Sequence, residues 1–485
     1  MGSSLLATDG YKFSMAEAGW PLRRETFYYS HRKGGQQVVP LELESYVRAL
    51  LPTPTEEDYV YLARNSYEMG AGFKAAIQRQ DRLVIRALPK GARFYPREPV
   101  FTLTGPSALV SWLEPLLLQL NFRIQVATQA LADREALAKA LARVSCEEEK
   151  RIALETLDAV GVKPVPITVD TEGYHARVVA VVRELVEAVG DSSRIFEVGL
   201  RAATCLEQHE LALQACKEAG VTRTSNVLGA KKLGMIPVGT MGHEHVQRYG
   251  SDEAAFRAIR ERRPERSSYL LDTYDTLTSG LPTAFRLIHE SPNAGDSIRF
   301  DSGDKKKQYV HAVSRAKEEG IKPVLILEDG LDAQATREFE ALRSQYGWEP
   351  SKQFYGYGGF IVARTMASPY TRDRVAAVYK LAKTGHVPTM KFGNELAEGK
   401  QSIPGVPVVF RRRSGTGPIG LIGQEGEPVP EGYELLSGAT PEVAAAIPPA
   451  GAEEPRVVYT PATQKLVDEL REQHFPKAKA AAHPA

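Results

Sequence analysis

The sequence predicts an α/β protein that contains a barrel of parallel strands, and three observations lead to this class. From about residue 194 the chain alternates short apolar runs with amphipathic, helix-like segments. Three consecutive strand-like runs end in carboxylates, at Asp272, Asp301 and Asp329, which lie 29 and 28 residues apart. Parallel strands joined by helices bring such ends to one rim, where α/β barrels carry their active sites. Between residues 83 and 103, short β-like runs separated by Pro and Gly predict a small, largely antiparallel sheet.

The stretch S-I-R-F-D-S-G-D at residues 297–304 is the centre of this pattern. Ile298 and Phe300 alternate with polar neighbours, as a short strand does, and helical spacing follows over residues 308–319 until Gly320. Asp and Gly after a strand often only form a loop. Their recurrence at the ends of three strands in register favours a functional rim.

The other elements follow from the same periodicities. Glycines at 356, 358 and 359 lie inside a strand-like run, which indicates a close approach of the backbone to a ligand. We predict strands at 25–30, 194–200, 235–238, 269–271, 323–327 and 354–361, and helices at 107–127, 131–160, 174–189, 203–219, 252–263, 283–289, 332–345 and 463–473.

Composition limits the classes of function. The chain has 485 residues, with 43% hydrophobic and 25% charged residues, which is typical of a globular protein of two or three domains. A net charge of +1 argues against a general nucleic-acid binder. Cys146, Cys205 and Cys216 are too few for a disulfide framework or a cysteine zinc site, which fits a reducing compartment. Without a membrane-length apolar run or a signal peptide, we expect a cytoplasmic enzyme with no membrane or nucleic-acid partner.

Carboxylate-bearing loops with glycine suit a ligand that carries both hydroxyls and phosphate. Each hydrogen bond from a hydroxyl to a carboxylate contributes about 1.5–3 kcal/mol. Backbone N–H groups at glycine-rich turns bind phosphate, and acids hold Mg²⁺ directly or through water. The run H-R-K-G-G at residues 31–35 could contact phosphate or form a solvated turn, and the sequence leaves both open.

With these residues placed, the chain resembles the nicotinate phosphoribosyltransferase family from Thr8 to about Arg413. Each motif alone is weakly specific, whereas their order and spacing together are highly specific. The motifs are T-D-G-Y-K at 8–12, G-T-M-G-H-E at 239–244, L-L-D-T-Y-D at 270–275, R-F-D-S-G-D at 299–304, L-E-D-G-L-D at 327–332 and F-Y-G-Y-G-G at 354–359, with similar stretches at 89–106 and 391–405.

The resemblance implies a reaction and an architecture. The family joins nicotinate to phosphoribosyl pyrophosphate in NAD biosynthesis, giving nicotinate mononucleotide and pyrophosphate, with ATP hydrolysis coupled through a phosphohistidine. It implies an irregular, TIM-like α/β barrel packed on an α/β sandwich, and a homodimer with shared active sites. We expect residues 1–130 to form the N-terminal part of the sandwich and residues 131–375 the barrel. Residues 376–485 would return to the sandwich and end in an irregular tail.

The motifs also imply roles for individual residues. His243 matches the phosphorylated histidine and is expected to be catalytic together with Asp272 and Asp301. The residues expected around nicotinate are Tyr11, Val198, Arg201 and Ser225. Mg²⁺ would bind near Asp301 and Asp329 without a tightly held metal, and ATP would be a co-substrate. The residues expected around the phosphoribosyl and phosphate groups are Asp9, Arg32, Arg299, Ser302, Gly303, Asp329, Gly330, Gly358, Gly359, Lys391 and Lys400.

Two features leave the choice of base open. The family usually has Phe where this chain has Val198, so stacking on one face of the pyridine is in doubt. The Asp329-Gly330 turn and the glycines at 356–359 look like those of the relatives that use nicotinamide, which makes nicotinamide the alternative substrate. Those relatives have Asp where Ser225 stands, and an Asp accepts from an amide but repels a carboxylate. Ser225 therefore favours nicotinate.

Two alternatives from other classes remain. His243-Glu244-His245 resembles the His-x-His pair of a barrel metallohydrolase, but such a site needs further histidines at strand ends. His289 and His311 lie on predicted helices instead. A catalytically inactive binding or scaffold protein is the other alternative, and the intact set of acids with His243 argues against it.

Overall fold

Seven parallel strands form one curled sheet in the second half of the chain. The structure, a computed structural model, describes residues 2–393, 401–413, 417–439, 444 and 457–475. Every neighbouring pair of strands is parallel, so all strands end at the same rim. In spatial order the strands are Ile236–Pro237, Arg223–Thr224, Ile195–Glu197, Gln353–Tyr357, Val324–Leu327, Ser297–Phe300 and Ser268–Leu270.

The sheet curls until its two edges face one cavity, which Ile236 and Ser268 both line. No backbone pairing joins these two edge strands in the described part of the chain. A side-chain hydrogen bond from Arg299 Nη1 to Thr240 Oγ1, 2.7 Å long, crosses the gap instead. The barrel is therefore irregular and incompletely closed.

Helices connect the strands and bury apolar side chains against them. Ile298 of the strand Ser297–Phe300 and Val313 of the next helix belong to one buried apolar cluster. That helix starts before residue 308 because the Asp304 carboxylate accepts a hydrogen bond from the Lys307 amide at 3.0 Å. The helices and turns of this part are Thr171–Val189, Ser192–Arg194, Leu200–Ala202, Leu206–Glu218, Val227–Leu233, His243–Tyr249, Asp252–Arg262, Thr276–Gly280, Leu281–Glu290, Lys305–Glu318, Ala333–Gln345, Pro350–Lys352 and Gly359–Val362.

The sandwich combines residues from both ends of the chain. Ala377–Thr384, which follows the barrel in sequence, pairs antiparallel with Arg24–His31. This pairing confirms the predicted fold class, an irregular α/β barrel with a sandwich built from N- and C-terminal segments; the exact domain boundaries stay a prediction. The five-stranded sheet has the order Val387–Pro388, Ala377–Thr384, Arg24–His31, Pro99–Pro106, Val84–Ala87, and a four-stranded sheet has the order Tyr433–Leu435, Pro407–Arg412, Gly420–Gln424, Val457–Tyr459.

Short two-stranded pairs and helices complete the described chain. Among these residues no helix has both the length and the apolar character needed to cross a bilayer. The strand pairs are Ser3–Ser4 with Pro52–Thr53, Gln37–Val38 with Arg93–Phe94, and Arg143–Val144 with Thr168–Val169. The helices are Tyr11–Ala18, Leu43–Ala49, Glu56–Arg64, Ala71–Gln78, Gln80–Arg82, Ser107–Trp112, Glu114–Leu118, Leu120–Ala132, Arg134–Leu141, Glu147–Ala159, Arg372–Val375, Leu436–Gly438 and Pro461–His474.

Two helices predicted as continuous, at 107–127 and 131–160, are broken. Pro115 in the first of these starts a new helix, because proline has no N–H and suits a first helical turn. In the second, side chains cap new helices, since Asp133 accepts from the Glu135 and Ala136 amides and Cys146 from the Glu149 amide. Apolar periodicity does not detect such breaks when the pieces on both sides are buried.

The predicted strand at 354–361 ends at Tyr357, and Gly359–Val362 is helical. A Cβ atom on Gly356 would lie 2.5 Å from Cγ of Glu328, and one on Gly358 would lie 3.1 Å from the carbonyl oxygen of Val198. These glycines therefore let neighbouring parts of the chain approach each other at the rim. At these two positions the predicted close approach is to other parts of the chain, and an approach to a ligand stays a prediction.

Candidate active site

A cavity of ≈ 1350 Å³ extends from the barrel interior, where Ser297 and Val324 line it, to the sandwich, where Val378 and Lys380 line it. Asp272 lies fully buried directly behind the residues of its wall, whereas Lys400 is outside the described residues. Gly303, with φ +85°, forms the turn after Ser302. The predicted site residues that line the cavity are Tyr11, Arg32, Val198, Arg201, Ser225, His243, Arg299, Asp301, Ser302, Asp329, Gly330, Gly358, Gly359 and Lys391.

His243, Asp272, Asp301, Ser302 and Lys391 form what we call the rim cluster. Asp272 Oδ1 lies 3.0 Å from His243 Nε2, and Asp272 Oδ2 accepts from Lys391 Nζ at 3.2 Å and from the Ser302 hydroxyl. Asp301 Oδ2 is 3.8 Å from the same His243 nitrogen. Lys391 follows the barrel by many residues, so the chain returns from the sandwich to neutralise an acid of the barrel.

The rim cluster fixes the charges of its members. Burial favours the neutral acid, but Lys391 and His243 hold the pKa of Asp272 well below its ordinary value. Burial and Asp272 oppose ionisation of Asp301, yet His243, Arg299 and Lys391 together lower its pKa as well. Burial, and then the charge of Lys391, lower the pKa of His243 despite the neighbouring acids. At neutral pH the site therefore contains two carboxylates and a neutral imidazole.

The donor set suits a hard divalent cation. The ligand atoms of His243, Asp272 and Asp301 all lie within 4.8 Å of one another. Both oxygens of Asp272 already accept hydrogen bonds, whereas the Asp301 side chain keeps 21% of its exposure beside the cavity. Asp301 is thus the residue best placed to hold Mg²⁺, directly or through water, and Asp329 lines the cavity on the next loop.

One lysine ties the two acid-bearing loops together. Lys305 Nζ donates to the carbonyl oxygens of Asp301 at 3.1 Å and Glu328 at 3.0 Å, and also to that of Asp329. Asp329 and Gly330 have φ values of +58° and +64°, so two consecutive residues are left-handed. Asp tolerates this region better than most residues, and Gly adopts it freely. The resulting sharp turn keeps the loop at the rim.

Asp9, Tyr11, Glu114, Arg201 and Ser225 form a second group, which we call the tyrosine cleft. The Arg201 guanidinium lies 5.5 Å from the centre of the Tyr11 ring, and the Tyr11 hydroxyl donates to Glu114 at 2.8 Å. Arg201 Nη1 is 3.8 Å from Glu114, and the Ser225 hydroxyl donates to Asp9 Oδ1 at 2.6 Å. The cleft therefore places an aromatic face beside a cation and two acids.

Two buried atoms of the tyrosine cleft have no hydrogen-bond partner among the described residues: Asp9 Oδ2 and Arg201 Nε. They lie 3.5 Å apart, which is too far for a good hydrogen bond between them. Burial raises the pKa of Asp9, although Arg201 and the Ser225 hydroxyl oppose this shift. A planar ligand with polar substituents would supply the missing partners.

The position of Asp9 corrects two expectations. Asp9 was expected with the phosphate-binding residues, but it is in the tyrosine cleft, where an antiparallel bridge joins it to Asn226. Ser225 was expected to offer a neutral hydroxyl in place of an acid, but that hydroxyl is bonded to the Asp9 carboxylate. An acid therefore lies beside Ser225, and the preference for nicotinate inferred from Ser225 stays a prediction.

Val198 lines the cavity, so an aliphatic side chain lies where the family usually has Phe. Its amide donates to the Tyr357 carbonyl at 2.9 Å, which fixes the loop. Deeper in the same cavity, Phe196 and Phe354 stack with ring centroids 5.3 Å apart, and the Arg223 guanidinium lies 5.7 Å from the Phe196 ring. The alternating pattern of residues 194–200 was the only sequence signal for Phe196. Such a pattern does not show whether a side chain lines a cavity or belongs to the hydrophobic core.

Lys380 is a cavity residue that sequence reasoning left out of the site. It occupies the middle of the strand Ala377–Thr384, opposite Tyr28, and lines the cavity with Arg32 and Lys391. Burial lowers its pKa to about 7, although Glu114 opposes the shift. The available signal was a lysine between the apolar residues Tyr379 and Leu381, although the same strand also contains Lys383.

His245 contradicts the metallohydrolase alternative. It is fully buried, and its Nε2 lies 2.9 Å from the Ala255 carbonyl oxygen. Burial lowers its pKa to about 3, so the ring is neutral and structural. His245 is hydrogen-bonded to the neighbouring helix Asp252–Arg262. It therefore does not form a pair of metal ligands with His243.

Comparison with known proteins places these residues in context. No protein-family model matches the chain. It is 25% identical to the human nicotinate phosphoribosyltransferase, over 95% of this chain and 85% of that protein. A nicotinate phosphoribosyltransferase of Mycobacterium tuberculosis is 30% identical over 216 residues, which are 44% of this chain and 43% of that one. The crystal structure of nicotinate phosphoribosyltransferase from Porphyromonas gingivalis shares the fold, with a TM-score of 0.57 and 19% identity, over 82% of this chain and 95% of that one.

Proposed function

We propose that this chain, a member of the nicotinate phosphoribosyltransferase family, transfers the phosphoribosyl group of phosphoribosyl pyrophosphate to nicotinate in NAD biosynthesis. Membership rests on similarity to the human protein along 95% of the chain, which confirms the resemblance seen in the motifs. One observation carries the proposed reaction: a cationic and acidic rim cluster and a tyrosine cleft open into a single cavity.

The tyrosine cleft would bind the base. Tyr11 offers a ring face for the pyridine, and Arg201 lies 5.5 Å from that ring, where it can pair with a carboxylate. Arg201 Nε, buried without a partner among the described residues, would gain one from the substrate. The base would then be held edge-on to Arg201, with its ring nitrogen free to attack the sugar.

The rim cluster would stabilise the sugar and the leaving group. Transfer passes through an oxocarbenium-like sugar, as glycoside cleavage does. Asp301, ionised and open to the cavity, can accept from ribose hydroxyls, and the buried Asp272, also ionised, would help to stabilise the positive charge that develops on the sugar. Arg32, Lys380 and Lys391 line the cavity and would neutralise the departing pyrophosphate. Mg²⁺ held near Asp301 and Asp329 would supply further charge neutralisation.

His243 would couple the reaction to ATP. Because its pKa is lowered, the imidazole is neutral and nucleophilic at physiological pH. With Nε2–H donated to Asp272, the lone pair is on Nδ1, which would attack the γ-phosphate of ATP. ADP then leaves, and hydrolysis of the phosphohistidine after transfer regenerates the free ring.

Nicotinamide is a second candidate substrate, and a specific observation favours it. Asp9 Oδ2 is buried, close to Arg201 and without a hydrogen-bond partner in the described chain. A carboxylate in that position accepts from an amide NH₂ and repels the carboxylate of nicotinate. The named relatives favour nicotinate, so the two bases must be compared directly.

We further propose a cytoplasmic homodimer. Tyr11, Arg32 and Lys391 line the cavity of their own chain. The cavity of one chain therefore already contains these residues, and an active site shared in a dimer would not need additional copies of them from the partner. Measuring the mass of the purified protein in solution by light scattering tests this part of the proposal.

The central test measures pyrophosphate release with nicotinate and nicotinamide in parallel, with and without ATP. We expect turnover with nicotinate, stimulated by ATP, and none without phosphoribosyl pyrophosphate. Asp301→Ala provides the matched inactive control. Turnover with neither base by the wild-type protein would refute the proposed function, and preference for nicotinamide would refute the choice of base.

A further inference from the structure

Cys146 and Cys205 lie in contact although they are 59 positions apart in sequence. Their sulfur atoms are 3.6 Å apart, and both side chains are buried. Each cysteine is the N-cap of a 13-residue helix, Glu147–Ala159 or Leu206–Glu218. The two helices therefore meet at their N-terminal ends, sulfur against sulfur.

The surroundings of the two sulfurs repeat each other. Cys146 Sγ accepts from the Glu149 amide at 3.4 Å, and Cys205 Sγ accepts from the Gln208 amide at 3.5 Å. A hydroxyl group also donates to each sulfur, Ser145 at 3.7 Å and Thr204 at 3.8 Å. These donors oppose part of the effect of burial, which together with Cys146, Glu148 and Glu149 still holds the pKa of the Cys205 thiol well above its ordinary value.

Reciprocal hydrogen bonds hold the two helix ends in place. The Glu148 amide donates to the Glu207 carboxylate at 2.7 Å, and the Glu207 amide donates to the Glu148 carboxylate at 2.9 Å. A surface cavity of ≈ 370 Å³, lined by Glu148, Leu206 and Glu207 among others, borders both helix starts. Neither sulfur lines this cavity, so a small oxidant reaches the pair only when the two helix starts open locally.

We propose that Cys146 and Cys205 are a redox modification site, at which hydrogen peroxide closes a reversible disulfide. One thiolate attacks a peroxide oxygen, becomes a sulfenic acid and releases hydroxide, which is protonated to water. The second thiol then attacks the sulfenic sulfur, and a second water leaves. Two thiols and one peroxide thus give one disulfide and two waters, and a dithiol reductant reverses the change.

The disulfide would act on the tyrosine cleft. Cys205 follows Arg201 by four residues, through the turn Leu200–Ala202. Closing the pair shortens the sulfur separation from 3.6 Å to about 2.05 Å, and we expect part of this shift to be taken up by the Cys205 side, which carries Arg201. If the proposed function is correct, oxidation therefore lowers kcat/KM for the base, by up to about a hundredfold for a displacement of 1 Å.

The covalent test needs no activity. The full chain is treated with peroxide, alkylated and digested with trypsin, beside an untreated sample. Before alkylation and digestion, we expect the intact mass of the treated chain to be about 2 Da lower, the two hydrogens lost on disulfide formation. Peptide 144–150 should become linked to peptide 202–217, which contains both Cys205 and Cys216.

Cys216 provides the matched control. Cys216 lies in the helix Leu206–Glu218, which Cys205 caps. Burial raises the pKa of the Cys205 thiol and of the Cys216 thiol. Cys216→Ser should keep the link, whereas Cys146→Ser and Cys205→Ser should lose it. Wild-type protein that retains three alkylated thiols after peroxide treatment, or a link that requires Cys216, would overturn the proposal.

Activity tests the functional consequence separately. Oxidised wild type should lose kcat/KM for the base and recover it with dithiothreitol, whereas Cys146→Ser should be insensitive to peroxide. A disulfide that forms without any change in kcat/KM would overturn the link to Arg201. An enzyme that is inactive when reduced would refute the proposed function, and the mass measurement would still decide the disulfide.

Discussion

The rim cluster and the tyrosine cleft face the same cavity but are built on opposite principles. In the rim cluster, both oxygens of the buried Asp272 accept hydrogen bonds, from His243 on one side and from Lys391 and Ser302 on the other. In the tyrosine cleft, Asp9 Oδ2 and Arg201 Nε are buried 3.5 Å apart, and neither has a hydrogen-bond partner among the described residues. One region is complete before the substrate binds, and the other is incomplete.

The difference separates catalysis from selection. Fixed, fully bonded charges stabilise a developing charge without reorganising when the reaction occurs. A buried polar atom without a partner costs about 1–3 kcal/mol, which a matching ligand recovers and a mismatched ligand does not. We therefore expect changes in the rim cluster to reduce the rate with every base, and changes in the tyrosine cleft to alter the preference between bases.

The largest effect is expected for Asp301→Ala. Removing this carboxylate deletes a charge beside the reacting sugar and the best-placed Mg²⁺ ligand, so kcat should fall at least about 10²–10³-fold with both bases. Because Asp301 is partly exposed, the melting temperature should remain close to that of the wild type. Asp304→Ala, on the same loop but in a helix cap, should keep its activity. An active Asp301→Ala enzyme would contradict the role of the rim cluster.

His243→Ala should separate ATP coupling from transfer. Without the imidazole no phosphohistidine can form, so stimulation by ATP should disappear while a slow ATP-independent transfer remains. The measurement is acid-labile phosphate incorporated from labelled ATP, together with the rate without ATP. His311→Ala, at an exposed helix position, is the control. Incorporation at the wild-type level by His243→Ala would exclude this residue as the phosphorylated one.

Variants of the tyrosine cleft should alter base preference in opposite directions. Asp9→Asn removes the acid beside Ser225 and should favour nicotinate, whereas Ser225→Asp adds a second acid and should favour nicotinamide. A charged hydrogen bond contributes about 1.5–3 kcal/mol, so each ratio of specificity constants should change about ten- to a hundredfold. If both ratios stay at the wild-type value, this cleft does not select the base.

Sequence reasoning predicted the part of the site that follows from strand periodicity. Asp272 and Asp301 end neighbouring parallel strands, Ser268–Leu270 and Ser297–Phe300, so their proximity follows from topology. The family motifs identified His243, whose place in the site could not be predicted from apolar periodicity. The strand predicted at 25–30 is likewise present, but its antiparallel pairing with Ala377–Thr384 was not predicted, since the resemblance implied only that residues 376–485 return to the sandwich.

The contacts of the tyrosine cleft could not be predicted, because they join residues through long-range packing. Asp9 and Ser225 are 216 positions apart, and no local pattern pairs them. Lys380 was also left out of the site, since its altered pKa depends on burial and on charges from four distant parts of the chain. Local sequence determines which side chains a strand end offers, whereas tertiary packing determines which charges neighbour them.

The smallest expected effect is the pH dependence of pyrophosphate binding, which we attribute to Lys380. Burial lowers the pKa of Lys380 to about 7, so above that pH the free enzyme holds a neutral amine. Bound pyrophosphate favours the charged form, and binding should take up a proton at higher pH. The dissociation constant of pyrophosphate should therefore rise with pH above about 7, by about tenfold in total if one charged hydrogen bond of about 1.5 kcal/mol is lost.

Lys380→Arg tests this argument, because an arginine keeps its charge over the whole range. Its pyrophosphate affinity should be nearly constant where that of the wild type falls, measured by calorimetry across neutral and alkaline pH. Stability provides an independent check of sign. The unfolded chain binds more protons than the folded one between the folded pKa of about 7 and the ordinary value of 10.5, so wild-type stability should rise with pH in this window. In Lys380→Met that rise should be weaker, and an equally steep rise would show that another group titrates there.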